Sequence, residues 1–164
     1  GLKAIIVGGA QAWKLASHLA EKKIPVIVGP VLDLPEEKHD PYDSAYANAA
    51  RLHKAGVKFA IRSGDSWNAR NLPYHAAMAA AYGLPREEAW KAVTIYPAEI
   101  LGVADRIGSI AAGKAADFII TTGDPLEVIT DVAAVFIDGR PQDLATRHTR
   151  LYEKFRGRLE ELKK

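Results

Sequence analysis

The run Lys3-Ala4-Ile5-Ile6-Val7 is apolar after its first residue and closes on Gly8-Gly9, which predicts a strand buried on both faces, as in a parallel sheet. Ala12, Leu15, Ala16, Leu19 and Ala20 then recur at three- and four-residue spacing, with Lys14, Ser17, His18 and Glu21 on the other side. This is a helix with one face for the sheet. Ile24-Pro25-Val26-Ile27-Val28-Gly29 repeats the strand signal, with Pro25 where a missing amide donor is tolerated, and strand, helix, strand makes a right-handed crossover. The long loop Pro30–Asp43 leads into a helix marked by Tyr46, Ala49, Ala50, Leu52 and His53, capped by Asp43 or Ser44 and stopped at Gly56. Val57–Ser63 reads as a third strand. Leu72–Tyr82 and the stretch opened by Pro85-Arg86-Glu87-Glu88 read as helices, and Pro97 breaks or restarts the second.

From Asp105 the pattern changes to short strands between glycine turns: Ile107–Ile110, Ala116–Thr122 and Val132–Ile137, the last closed by the hairpin signal Asp138-Gly139. Leu144–Lys164 reads as a polar helix interrupted by Gly157, with seven basic and three acidic residues. The pattern therefore predicts an α/β fold: parallel strands with crossover helices over 1–104, a small antiparallel β element over 105–143, and a basic C-terminal helix over 144–164. That helix reads as an ordinary solvated face.

Composition narrows the chemistry. At 164 residues with 48% hydrophobic content the chain is one domain in size, too short for a complete eightfold βα barrel of roughly 200 residues or more. Lys and Arg number 22 against 20 Asp and Glu, a formal charge of +2, so nothing draws the chain to nucleic acid. The absence of cysteine excludes disulfides, zinc ribbons, iron–sulfur clusters and thiol catalysis, and leaves the compartment open. No apolar run approaches the ~18 residues of a membrane span, and no signal-peptide pattern is present. The start at Gly1-Leu2, without Met, leads to the expectation of an internal piece of a longer protein.

In parallel α/β folds ligands bind beyond the carboxyl ends of the strands. Three segments fall there: Gly8-Gly9-Ala10-Gln11, Gly29-Pro30 and Ser63-Gly64-Asp65-Ser66. Gly8 and Gly9 either hold an anion through backbone amides or make a plain tight turn. Asp65 can ligate a metal or take a proton from water, and equally Asp65 or Ser66 can cap the next helix. Arg62, Arg70, Arg106 and Lys114 are candidates for a substrate carboxylate. Of the five histidines, His18 and His53 lie on outward helix faces and His39 lies in the acidic loop with Asp33, Glu36, Glu37 and Asp40. No two, His148 included, form a local ligand pair. His75, just downstream of Arg70, points to the same mouth as Asp65 or packs. One convincing ligand does not close a catalytic metal site, which needs at least three protein groups.

Four segments together carry a resemblance: Ser63-Gly64-Asp65-Ser66, Gly83-Leu84-Pro85-Arg86-Glu87-Glu88-Ala89, Thr94 to Gly102, and Asp105-Arg106-Ile107-Gly108-Ser109-Ile110 through Gly113-Lys114-Ala115-Ala116-Asp117, followed by Gly123-Asp124-Pro125-Leu126. The chain resembles the C-terminal part of an amidohydrolase-superfamily enzyme of the imidazolonepropionase-like branch. The resemblance implies a TIM barrel, here its last three βα units over 1–104, with part of a composite β-sandwich over 105–143. It implies a divalent, zinc-like metal in the full-length parent and hydrolysis of C–N bonds in small amides. Asp65 would be both metal ligand and the base that activates water; Gly8-Gly9 stands where many relatives place a histidine; Asp117 belongs to a structural turn. From their place at the strand exits, and not from the resemblance, His75, Arg70, Gly8 and Gly9 are the candidates to touch substrate. The other family ligands lie on strands that precede Gly1, so the isolated chain is expected to hold no metal, to be inactive and to form homo-oligomers, with neither nucleic acid nor membrane as partner. The rival readings are a small-ligand binding module and a subunit that completes a barrel without catalysis.

Overall fold

The computed structural model describes residues 3–162. Its first sheet is parallel, in the order β1 (Ile6–Gly8), β2 (Val26–Val28), β3 (Phe59–Ile61), with Ile6 opposite Val26 and Val26 opposite Phe59. A 3-10 turn (Ala12–Leu15) running into α1 (Ala16–Glu21) connects β1 to β2, and α2 (Ser44–Lys54) connects β2 to β3. After β3 come a 3-10 segment (Ser66–Asn71), α3 (Leu72–Ala81), α4 (Arg86–Val93) and α5 (Ile95–Ile100). The core lies between sheet and helices: Val26, Val28, Phe59 and Leu52 are all within 1% of full burial, against the alanines Ala49, Ala76, Ala79, Ala89 and Ala92. Small residues on the helices let them approach the strands closely. Each buried Phe or Leu contributes roughly 1.5–3 kcal/mol.

The second sheet is antiparallel, in the order β4 (Phe118–Thr121), β5 (Val132–Ile137), β6 (Arg140–Pro141). Asp138 and Gly139 both have positive φ, 51° and 72°, as a two-residue I′ hairpin turn requires. Asp117 Oδ1 accepts the Asp138 N–H at 2.7 Å. Arg86 of α4 pairs with Asp124 and Glu127, and Leu126 between them is 3% exposed, so the loop after β4 is pinned to the helical layer. The last element is α6 (Arg147–Leu162).

Five details depart from the sequence pattern. β1 is an edge strand with Ile6 and Val7 36% and 59% exposed, not a strand buried on both faces, because it packs mainly on β2, whereas β3, equally at an edge, is covered by α2, α3, α4 and α5 and is fully buried. Leu15 is 60% exposed, since the 3-10 turn winds three residues per turn and carries it off the packed face. Neither Asp43 nor Ser44 caps α2 through its side chain; Asp43 faces Arg51 at 3.6 Å instead. Ile107–Ile110 forms no strand, because Gly108 at φ +90° passes so near Ala98 and the Thr94 carbonyl that an added Cβ would lie 2.8 Å and 3.0 Å from them. Gly157 does not interrupt α6. Lys163 and Lys164 of the basic tail lie outside the described residues, as do Gly1 and Leu2.

Candidate active site

The parallel order brings the carboxyl ends of β1, β2 and β3 side by side. Gly29 N–H donates to the Gly8 carbonyl at 3.1 Å and Arg62 N–H to the Val28 carbonyl at 2.9 Å, extending the ladder into both exit loops. Gly29 has φ +129°, and a Cβ there would run into the Arg62 carbonyl. Beyond the ends of β1 and β2 opens a cleft of about 570 Å³, lined by Gly8, Gly9, Asn48 and the acidic-loop residues Asp33, Glu36 and Glu37. Both ends of that loop are tied down. Val31 and Leu32 N–H bond to His75, and Asp40 is bridged to Lys14 at 2.6 Å. The Lys14 hydrogen bond holds the Asp40 carboxyl below the usual carboxylate range.

Asp65 stands at the exit of β3, one residue after Gly64 at φ +91°. It occupies the N-cap position of the 3-10 segment with φ −83° and ψ 161°, yet its carboxylate makes no cap bond. The capping role left open by the sequence is therefore not the one it performs; only its backbone carbonyl is engaged, by Asn68 N–H at 3.0 Å. The carboxylate is exposed, as is Arg70 on the same segment. Gly8 and Gly9 thus share the cleft with the acidic loop, while Asp65 stands at the neighbouring strand exit, and neither it nor Arg70 lines the cleft.

His75 is placed differently from the expected substrate contact. It is 0% exposed, and its Nδ1 accepts from Val31 N–H at 2.9 Å and Leu32 N–H at 3.2 Å. Position 75 falls on the face of α3 turned to the core, with Ala76 and Ala79, so the ring lies beneath the mouth. His53 keeps 38% of its side chain exposed on the outer side of α2, and there it approaches Glu88 at 3.6 Å and Phe59 edge-on. Asn48 was missed by the sequence reading. It is 1% exposed, and its Nδ2 bonds to the Gly9 and Ala10 carbonyls at 2.8 Å and 3.2 Å. The signal was an amide inside the apolar stripe of α2, where a polar side chain needs a buried partner.

Burial pushes the His75 pKa below the ordinary 6.5, and the charge of Asp33 works the other way without overcoming it. Below pH 6.5 the unfolded chain binds a proton that the folded chain refuses. Stability is therefore full above that pH and falls as pH drops toward the depressed folded value. Urea unfolding between pH 5 and 8 should show this slope, reduced in His75→Asn; an unchanged slope in that variant would assign the effect to other groups.

Among the described residues no three His, Cys, Asp or Glu side chains converge. Asp65 offers a single donor, and these residues do not by themselves fit a catalytic metal.

The model of the amidohydrolase family matches residues 12–142. Amidohydrolase tasK of Hapsidospora irregularis is 41% identical over 75 residues, which are 46% of this chain and 8% of that protein. A solved amidohydrolase from Thermotoga maritima superposes with a TM-score of 0.74 at 37% identity, over 85% of this chain and 36% of the other. An adenosine deaminase from Xanthomonas campestris, solved with bound zinc, shares the fold at 23% identity with a TM-score of 0.60, over 96% and 42% of the two chains. The chain thus spans well under half the length of these relatives. With four-fifths of its residues matched by the family model, from the 3-10 turn after β1 to the end of the second sheet, the chain belongs to the amidohydrolase family.

Proposed function

We propose that this chain supplies the Asp65-bearing rim of a metal-dependent hydrolase site that cleaves C–N bonds in small linear or cyclic amides. The supporting observation is the Asp65 carboxylate itself, exposed and uncommitted at the carboxyl end of β3 in an amidohydrolase-family chain. A carboxylate so placed takes the proton of a water attacking an amide carbonyl, a contribution of typically 10²–10⁴-fold. Gly8 and Gly9 line the substrate cleft, and the Arg70 guanidinium receives a substrate carboxylate. In this reading the three parallel strands are the sixth, seventh and eighth of a barrel. Asp65 is one ligand of a zinc-like ion whose other ligands come from polypeptide beyond the described residues, so the chain alone is inactive. The edge strand β1, with its exposed Ile6 and Val7, favours self-association into a homo-oligomer.

A second reading, a small-ligand module or barrel-completing subunit without catalysis, draws on the cleft between Gly8-Gly9 and the acidic loop, which does not include Asp65. One purified sample of the chain tests the first reading. Metal analysis should find no stoichiometric zinc, amide cleavage should be absent, and light scattering at micromolar concentration should give at least twice 17.8 kDa. A tightly held ion with unaided cleavage overturns the incomplete-site reading; a mass of one chain overturns the association.

A further inference from the structure

Among the described residues His75 is the one ionisable residue with no exposed surface at all, backbone included. Burying a polar ring is costly unless its nitrogens are used, and the neighbours show what this one is used for. A ring nitrogen that accepts two N–H groups, as Nδ1 does from Val31 and Leu32, carries no proton, so the proton of the neutral ring is on Nε2. Nε2 lies 3.4 Å from Asn68 Nδ2; with the ring proton on Nε2 both groups are donors, so this is a packing contact and not a hydrogen bond. The same Asn68 Nδ2 donates to the Ser63 carbonyl at 3.0 Å, and the Asn68 backbone N–H donates to the Asp65 carbonyl at 3.0 Å. The ring therefore stands between two strand-exit loops, bonded to one and packed on the residue that braces the other.

We propose that His75 is a positioning residue: a neutral, Nε2-protonated imidazole that keeps the loop after β2, with its acidic cleft wall, in fixed register with the Ser63–Asp65 turn. Leucine would fill much of the same volume but would leave two backbone donors without an acceptor, one of them fully buried, the asymmetry that makes a lost acceptor costlier than a lost contact. Asparagine places an oxygen near the position of Nδ1, and so keeps the bond to the β2 loop while giving up the contact with Asn68. The functional meaning of this coupling rests on the proposed role of Asp65; the coupling itself is measured without turnover.

The experiment uses the full chain and NMR. The ¹⁵N spectrum of His75 should show a bare Nδ1 and a protonated Nε2 at pH 7.5. In His75→Leu, amide exchange at Val31 and Leu32 should accelerate about tenfold, the loss of one to two net hydrogen bonds, and the resonances of Ser63–Asp65 should move with it. His75→Asn should restore slow exchange at Val31 and Leu32 but not the Ser63–Asp65 resonances, and Asn68→Ala should move Ser63–Asp65 and the His75 ring while the tautomer stays. A proton on Nδ1 overturns the proposal, and so does a Ser63–Asp65 turn that stays in place in His75→Asn and Asn68→Ala. Those two variants decide the matter if His75→Leu fails to fold. Should Asp65 prove dispensable for hydrolysis while these couplings appear, the active-site reading fails and the positioning link stands.

Discussion

In a protein that carries this chain and cleaves amides, Asp65→Asn is expected to lower turnover ~10²–10⁴-fold, the range for losing a positioned general base. The substitution keeps shape and removes only the charge and the proton affinity. Because the carboxylate caps no helix and is exposed, it contributes little to the fold, and stability should stay within about 0.5 kcal/mol. Chemistry and stability should therefore separate cleanly. Steady-state kinetics beside a denaturation curve decide the matter: full turnover in the variant would falsify the assigned role, and a large stability loss would mean that the side chain has a structural task.

The second large effect is expected at Gly29→Ala. Position 29 combines φ +129° with a Cβ direction that meets the Arg62 carbonyl, and that carbonyl belongs to the chain leaving β3. Backbone tied into a ladder cannot give way as a flexible side chain can. Strain and overlap together should cost about 3 kcal/mol, a large fraction of the ~5–15 kcal/mol that holds a typical domain together. Gly56→Ala is the control. It has φ +77° but open space around the added methyl, so only the left-handed cost of roughly 1–2 kcal/mol remains. Equal losses at the two positions in urea unfolding would show that overlap with Arg62 is not the cause.

Most elements and the place of the cleft are legible in the residues. The runs ending at Gly8, Gly29 and Ser63 mark three parallel strands, and their exits mark the mouth; Asp138-Gly139 marks the hairpin. The errors share one physical origin. Hydrophobic periodicity reports what a residue can tolerate, whereas burial depends on whether a neighbour is present. Ile6 and Val7 look like core and are exposed at an edge. His75 looks like a mouth residue because it follows Asp65 in sequence, yet the start of α3 turns its side chain inward. Asn48 has no distinguishing motif, because its partners are backbone carbonyls of Gly9 and Ala10, nearly forty residues away.

The order of strands and helices, the family, and the one carboxylate at the end of β3 were determined by the sequence alone, because periodicity, glycine placement and short motifs are local properties of a chain. Only the tertiary structure decided that Asp65 caps nothing, that Gly8 and Gly9 open onto a cleft walled by the acidic loop, and that His75 ties that loop in place from below. Each of those outcomes depends on atoms distant in sequence meeting at hydrogen-bond distance, and that distance is set by the packing of helices on strands.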